Sequence, residues 1–474
     1  MKSLLKIYIP LLSVILCGSA WSLVATPATG QNLISTTNST GDINPQLHGI
    51  WQNPRKGWLL EIGNNSARLL NYTAQACIPD EMPKEALLGL LRFFERDGDM
   101  LQLSLRAGNS TVYHFDRLQT LPATCKASPE ATPVATFNYF AEVMAAYYAF
   151  FDLYDVDWAQ RREAFEKKVT PSTTDAALFD VFAGMLEGLK DGHLSLIAEV
   201  DGENKRFTPT RTRTLGPNLD ELFYQQEKIK SLGAFHTNWM QENMRTLGKK
   251  VLNKRGQGSA ADENIRWGKI GKTGYIQIRG MEGYAGSDDF SLAAELAGAH
   301  DAISKAIHAL KDTESLIVDV AFNRGGLDEV SLALASHFAD DSYLAYTKAA
   351  HGAVAAPQPF YVTPAASAKY LKPVALVTSQ ISVSAAEIFT LAMRVLPNVT
   401  HYGEATFGAL SDILPKTLPN GWALGLSNEH YVDVNGEAWE GRGITPDKPV
   451  LLFDPDDIFN SYPRVLEQIA SGAL

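Results

Sequence analysis

Three residues far apart in the chain, Ser384, His193 and Glu440, carry side chains that together could hydrolyse an acyl bond. A serine hydroxyl is a weak nucleophile until a base takes its proton. A histidine can be that base, and a carboxylate can fix its tautomer and stabilise the imidazolium. Ser384 sits where the apolar run 374–378 gives way to Ala385-Ala386-Glu387-Ile388-Phe389. This reads as a buried strand turning into a helix. The first N–H groups of such a helix, beginning at Ala385, are unpaired and can hold a developing oxyanion. Taken alone, such a serine is more commonly an N-cap.

The other chemical groups also have plainer readings. His193 lies in Lys190-Asp191-Gly192-His193-Leu194-Ser195-Leu196, between a helical stretch and a strand. It can be the general base, or a favourable charge at a helix C-terminus. Asn323-Arg324-Gly325-Gly326-Leu327 follows a second apolar run. The paired glycines, Gly325 and Gly326, let the backbone approach a ligand and complete an oxyanion hole. No Gly-Lys-Ser/Thr follows, so this is not a phosphate loop. Glu440, within Trp439-Glu440-Gly441-Arg442-Gly443, can orient the histidine or be a surface carboxylate in a turn. No HExxH-type spacing calls for a metal, and no cofactor is implied.

The elements that must position these groups divide the chain. Residues 1–30 read as a signal peptide, with Lys2 and Lys6 ahead of an apolar stretch and small residues around Gly18-Ser19-Ala20. Cys17 follows Leu16, where a lipoprotein signal wants a small residue, so lipid anchoring is disfavoured. A periplasmic or secreted protein follows, with no membrane insertion after signal removal. Residues 32–46 read as a polar linker. Within 31–126, short alternating segments separated by Gly63-Asn64, Asp97-Gly98 and Gly108-Asn109 predict a small antiparallel β domain. Cys77 and Cys125 both fall in it and are the candidate disulfide. Residues 127–200 turn helical, with Phe140, Val143, Met144, Tyr147, Tyr148 and Phe151 at three- and four-residue steps. Residues 201–268 look like an inserted cap with helices over 219–232 and 237–252. From 269 to 474, strand and helix signals alternate, which implies a mostly parallel α/β sheet covered by helices. A net charge of −11 argues against nucleic acid as a partner. The oligomeric state is not legible.

The combination of AsnArgGlyGly at 323–326, SerValSerAlaAlaGlu at 382–387, GlyGluAlaThrPheGly at 403–408 and GlyIleThrProAsp at 443–447 resembles the tail-specific, C-terminal-processing serine peptidases. The resemblance spans roughly residues 137–452. It implies a crotonase-like α/β core and a protein or peptide substrate. One branch of that family places a lysine base after ThrPheGly, where this chain has Ala409. The tricorn-like branch uses serine, histidine and glutamate, and the Asp-Gly-His and Trp-Glu-Gly segments are similar to it. The resemblance therefore implies Ser384 as nucleophile, His193 as base, Glu440 as orienting acid, and Ala385 with Gly325/Gly326 as oxyanion donors. Gly192 departs from that branch, which has a serine before its histidine. Two alternatives stay open: a Ser-Lys peptidase using Lys416, and a non-catalytic binding protein of the same fold, like the retinoid-binding repeats.

Overall fold

The β-branched run Val374–Thr378 is flanked on both sides by parallel strands, Ser315–Asp319 and Val399–Gly403, so all three need apolar residues on both faces. A computed structural model describes residues 33–105, 110–209, 215–224, 231–252, 256–286 and 291–474. The expected signal peptide lies outside them. These strands form the middle of a seven-stranded sheet. Its order is Gly258–Ala260, Ile265–Ile270, Thr273–Ile278, Ser315–Asp319, Val374–Thr378, Val399–Gly403, Lys448–Pro449. The first three are antiparallel to one another and the rest run parallel.

Alternation along the strands feeds two separate cores. Ile276, Val318 and Leu376 face helices Leu292–Leu310, Asp328–Ala335 and Ala385–Arg394. Tyr275, Ile317 and Val377 face the opposite layer, made by helices Leu215–Tyr224, Leu232–Thr246 and Ser461–Ser471. The described parts of the segment expected to be an inserted cap pack against the main sheet or extend it. Leu215, Leu219, Phe235, Trp239 and Leu247 form a continuous apolar stripe despite polar surroundings, and it is buried against Phe322, Phe453 and Tyr462. The helices start four to five residues earlier than expected, the second because Ser231 caps it through Ala234 N. The strands 258–260 and 265–270 extend the main sheet, and Glu203–Phe207 hairpins with Ser195–Val200.

Helices Pro133–Tyr147, Trp158–Glu166 and Asp175–Leu186 pack their aromatic stripes against a four-stranded sheet, as core. That sheet runs Glu203–Phe207, Ser195–Val200, Ala423–Ser427, Ile413–Thr417, so strand 423–427 lies outside the parallel sheet. A three-stranded sheet of Gln358–Val362, Tyr343–Ala350 and Glu429–Asp433 was not evident in the sequence.

The N-terminal part is an eight-stranded antiparallel sheet spanning Ile34 to Leu118, with helix Lys84–Leu90 on it. The expected linker is part of this sheet: Ile34–Ser35 pairs with Phe93–Phe94, and Ile43 and Leu47 are buried. Cys77 and Cys125 form a disulfide. The sheet is locked to the rest by a buried seam. Lys416 Nζ donates to the carbonyls of Lys56 (2.6 Å) and Gly57 (3.1 Å) and to Asn71 Oδ1 (2.8 Å). Lys56 Nζ in turn pairs with Glu429 at 2.6 Å, and Tyr147 Oη donates to the Tyr72 carbonyl at 2.6 Å.

Candidate active site

Open α/β sheets bind ligands beyond the carboxyl ends of their strands. Two such ends lie side by side here, Asp319 and Thr378, and the turns that follow are stitched together. Ser379 Oγ donates to the Ala321 carbonyl at 2.5 Å and Ser382 Oγ to the Val320 carbonyl at 2.8 Å. Val383 N reaches the Asn323 carbonyl at 3.2 Å. The first turn carries Gly325-Gly326 and the second ends at Ser384, the residue before helix Ala385–Arg394.

Ser384 has φ 62° and ψ −130°, a conformation that a residue with a Cβ avoids. Such strain costs about 1–3 kcal/mol and persists only where surroundings enforce it. Here they do: Ser384 N donates to the Ala409 carbonyl at 3.1 Å and to Glu387 Oε2 at 3.2 Å. Gly325 has φ 94°, and a Cβ on it would lie 2.6 Å from Ser384 Cβ, so only glycine fits beside the serine. The Gly325 amide is already bound to Asn323 Oδ1 at 2.8 Å. Among the described residues no acceptor takes the amides of Gly326 or Ala385, so these two are the donors open to a ligand.

His193 is half-buried and reaches the same neighbourhood from the other sheet. Its turn is set by Asp191 Oδ1, which accepts from His193 N at 2.9 Å, and by the buried Leu189 and Leu194 on either side. Strand Ser195–Val200 then pairs with Ala423–Ser427, which pairs with Ile413–Thr417, bringing residue 411 alongside. His193 Nδ1 lies 2.6 Å from the Ser411 carbonyl. A carbonyl only accepts, so Nδ1 carries a proton, and in the neutral ring Nε2 holds the lone pair. Ser384 and His193 form no hydrogen bond with each other in this structure.

Glu440 is buried beneath the same segment. Its Oε2 accepts from Leu410 N at 2.9 Å and Ser411 N at 3.0 Å. It therefore meets the segment that holds His193, and the imidazole itself is held by the Ser411 carbonyl. Burial, then the charges of Asp191 and Glu387, raise the Glu440 carboxyl well above the ordinary carboxylate range. Asp191 Oδ2 and Glu440 Oε1 are both buried without a hydrogen-bond partner.

Residues 406–411 are thus the common mount of nucleophile and histidine. The piece that the sequence reading passed over is Glu387, fully buried and accepting from four donors. These are Thr406 Oγ1 (2.6 Å), Gly408 N (2.8 Å), Ala409 N (2.9 Å) and Ser384 N (3.2 Å). Its signal was present as Ser-x-x-Glu at 384–387, the capping-box pattern. Gly192, which departs from the tricorn-like pattern, faces Phe407: a Cβ there would stand 2.4 Å from the ring. Lys416 is not brought to Ser384, because its ammonium is spent on the β-sheet seam. Burial holds it well below the usual lysine range. Among the described residues no cluster of ligating side chains could hold a metal ion, and no helix is long and apolar enough to cross a membrane.

Comparison with known proteins agrees with this architecture. Residues 272–450 match the model of peptidase family S41. A candidate peptidase from Parabacteroides merdae ATCC 43184 is similar at 24% identity and TM-score 0.56, over 73% of this chain and 98% of that one. A serine-to-alanine mutant of CPAF is similar at 13% identity and TM-score 0.50, over 72% and 96%. These two likenesses speak for the fold. Tricorn protease is matched at 11% identity and TM-score 0.40, over 87% of this chain and 45% of that one, too low to argue from. The matched stretch, residues 272–450, contains the strained serine and the glycine turn, and through it the chain is similar to the serine peptidases of family S41.

Proposed function

We propose that the chain is an exported endopeptidase that cleaves polypeptides through an acyl-enzyme on Ser384, with His193 Nε2 as general base. The observation that carries this reading is the shared mount. Ser384 N and His193 Nδ1 are bound to carbonyls two residues apart, Ala409 and Ser411. The hydroxyl attacks the scissile carbonyl carbon as Nε2 takes its proton, and the oxyanion is received by the amides of Ala385 and Gly326. Gly325 supplies the close approach, its own amide being occupied. The imidazolium then gives the proton to the leaving amine, and a water repeats the cycle to release the acyl group. Glu440 is a positioning residue that acts through the 410–411 amides. The missing Ser384–His193 hydrogen bond fits the looser geometry common before substrate binds.

Labelling with a fluorophosphonate tests this. Ser384 takes the label in the wild type, and His193→Ala abolishes labelling. Glu440→Gln sharply reduces it, while Lys416→Ala, in whatever fraction folds, keeps it. Absence of label on the folded wild type at any pH favours the non-catalytic ligand-binding reading. Loss of label in Lys416→Ala with His193→Ala unaffected favours a lysine base.

A further inference from the structure

A cavity of about 340 Å³ opens at the seam between the N-terminal sheet and the peptidase core. Its core side includes Gly326 and Leu327, the oxyanion turn, and Asp412 to Leu414, directly after the residue that holds His193. Its other side is built by Trp58, Met82, Leu91 and Tyr113 of the N-terminal sheet, which lies outside the matched family region. We propose that this sheet forms one wall of the substrate cleft, and that the cavity receives a large apolar side chain of the polypeptide next to the scissile bond. The proposal rests on the reading of Ser384 as nucleophile.

Three observations fix the occupant. First, a chain whose carbonyl oxygen sits on the Gly326 amide must pass the cavity mouth, because Gly326 is part of its lining. Second, the walls are mostly aliphatic and aromatic, and two of the lining residues, Leu90 and Ile413, leave about half of their surface exposed (49% and 51%). Apolar surface left open beside a reaction centre marks a recognition site. Third, the polar lining suits neither a free carboxylate nor an unpaired cation. Asp80, Glu329 and Asp412 would repel a substrate C-terminus. Each already has a partner: Asn71, Ser110 and Lys348 respectively. The one lysine of the lining, Lys56, is paired with Glu429. The site therefore recognises internal apolar residues rather than chain ends. The buried seam of Lys416 and Lys56 keeps the wall in place, so the cavity is formed before substrate arrives.

The test uses paired fluorogenic peptides, blocked at both ends, differing only in phenylalanine or alanine beside the scissile bond. The full-length wild type should favour the phenylalanine peptide in kcat/KM by at least tenfold. Met82→Trp, which fills the cavity, should cut that ratio at least tenfold, and Leu90→Arg at the half-exposed position is the second variant should the first not fold. Binding of the same peptides to Ser384→Ala, read by calorimetry, should show the same preference without any turnover. A wild type that labels at Ser384 yet shows equal kcat/KM and equal binding for the two peptides overturns the pocket and leaves the nucleophile standing. Selective binding by Ser384→Ala with no labelling or cleavage by the wild type overturns the nucleophile and leaves the pocket standing. A preference unchanged in both wall variants, or a stronger preference for peptides with a free C-terminal carboxylate, also overturns the proposal.

Discussion

Replacing Glu387 by glutamine is the sharpest probe of how the nucleophile is held. The carboxylate accepts Thr406 Oγ1 and Gly408 N on Oε1, and Ala409 N and Ser384 N on Oε2, with no exposure to water. Glutamine keeps one acceptor oxygen. Its amide group will settle on the Oε1 side, because the Thr406 hydroxyl can turn and accept where a backbone N–H cannot. Gly408 N is then left facing an N–H group. The turned Thr406 hydroxyl also gives up its own acceptor, so two buried donors go unsatisfied at about 1–3 kcal/mol each, and Glu387→Gln should lose about 3 kcal/mol. Glu387→Ala orphans all four donors and opens a cavity, and should lose more than about 4 kcal/mol. The readout is equilibrium urea unfolding, with fluorophosphonate labelling rate as the second axis. Because Glu387 ties Ser384 and residues 406–409 together, both variants should slow labelling in the order of their destabilisation. Burial raises the Glu387 carboxyl above its ordinary value. The wild type is therefore most favoured at acidic pH and loses that advantage as pH rises through the folded-state value, so the gap to glutamine should be wider at pH 5 than at pH 8. A glutamine variant as stable and as reactive as the wild type at both pH values would refute the reasoning.

Three further outcomes are expected. Gly192→Ser, which restores the serine of the tricorn-like pattern, should slow labelling at least tenfold because its Cβ displaces the Phe407 ring; Gly192→Ser/Phe407→Leu should recover most of the rate, and an innocuous single variant would show that the ring yields freely. Asp328 is pushed up to about 8 by burial and by the Asp412 charge, so its contribution is present below pH 4 and lost as pH rises toward 8. Asp328→Asn should thus leave Tm unchanged near pH 4 and raise it at pH 8, and a variant that is worse at pH 8 contradicts this. His401, buried against Thr378 Oγ1, is held down to about 3 by burial. Its stabilising contribution is full above about pH 6.5 and is lost as pH falls toward 3. His401→Gln should flatten the acid limb of the Tm profile, and an unchanged limb argues that another group governs it.

What the sequence made legible follows from how local each signal is. Val374–Thr378, Ser315–Asp319 and the helix starts at Asp157 and Thr174 are written within a few adjacent residues, and they were readable. Ser384, His193 and Glu440 were nominated through motif order, which supplies types and sequence positions without orientation. The role of the Ser411 carbonyl was invisible because any residue has a carbonyl; only pairing of strands 195–200, 423–427 and 413–417 brings it to the imidazole. The packing of segment 201–268 was hidden for a different reason. Its apolar stripe at Leu215, Leu219, Phe235 and Trp239 is diluted by polar neighbours, and composition outweighed periodicity. The sheet 343–350, 358–362 and 429–433 joins residues about 80 apart, so neither half announces the other.

The lysine at 416 has a bearing on how this molecule can be dissected. Its three acceptors all belong to the N-terminal sheet, and Glu429 takes its pairing from Lys56 of the same sheet and from Lys348. Excising residues 33–126 would strand an ammonium and uncover a carboxylate inside an apolar cut face. The stretch recognised by the family model is therefore no freestanding module in this chain, and engineers who trim to it should expect inclusion bodies unless Lys416 is replaced by an apolar residue as well.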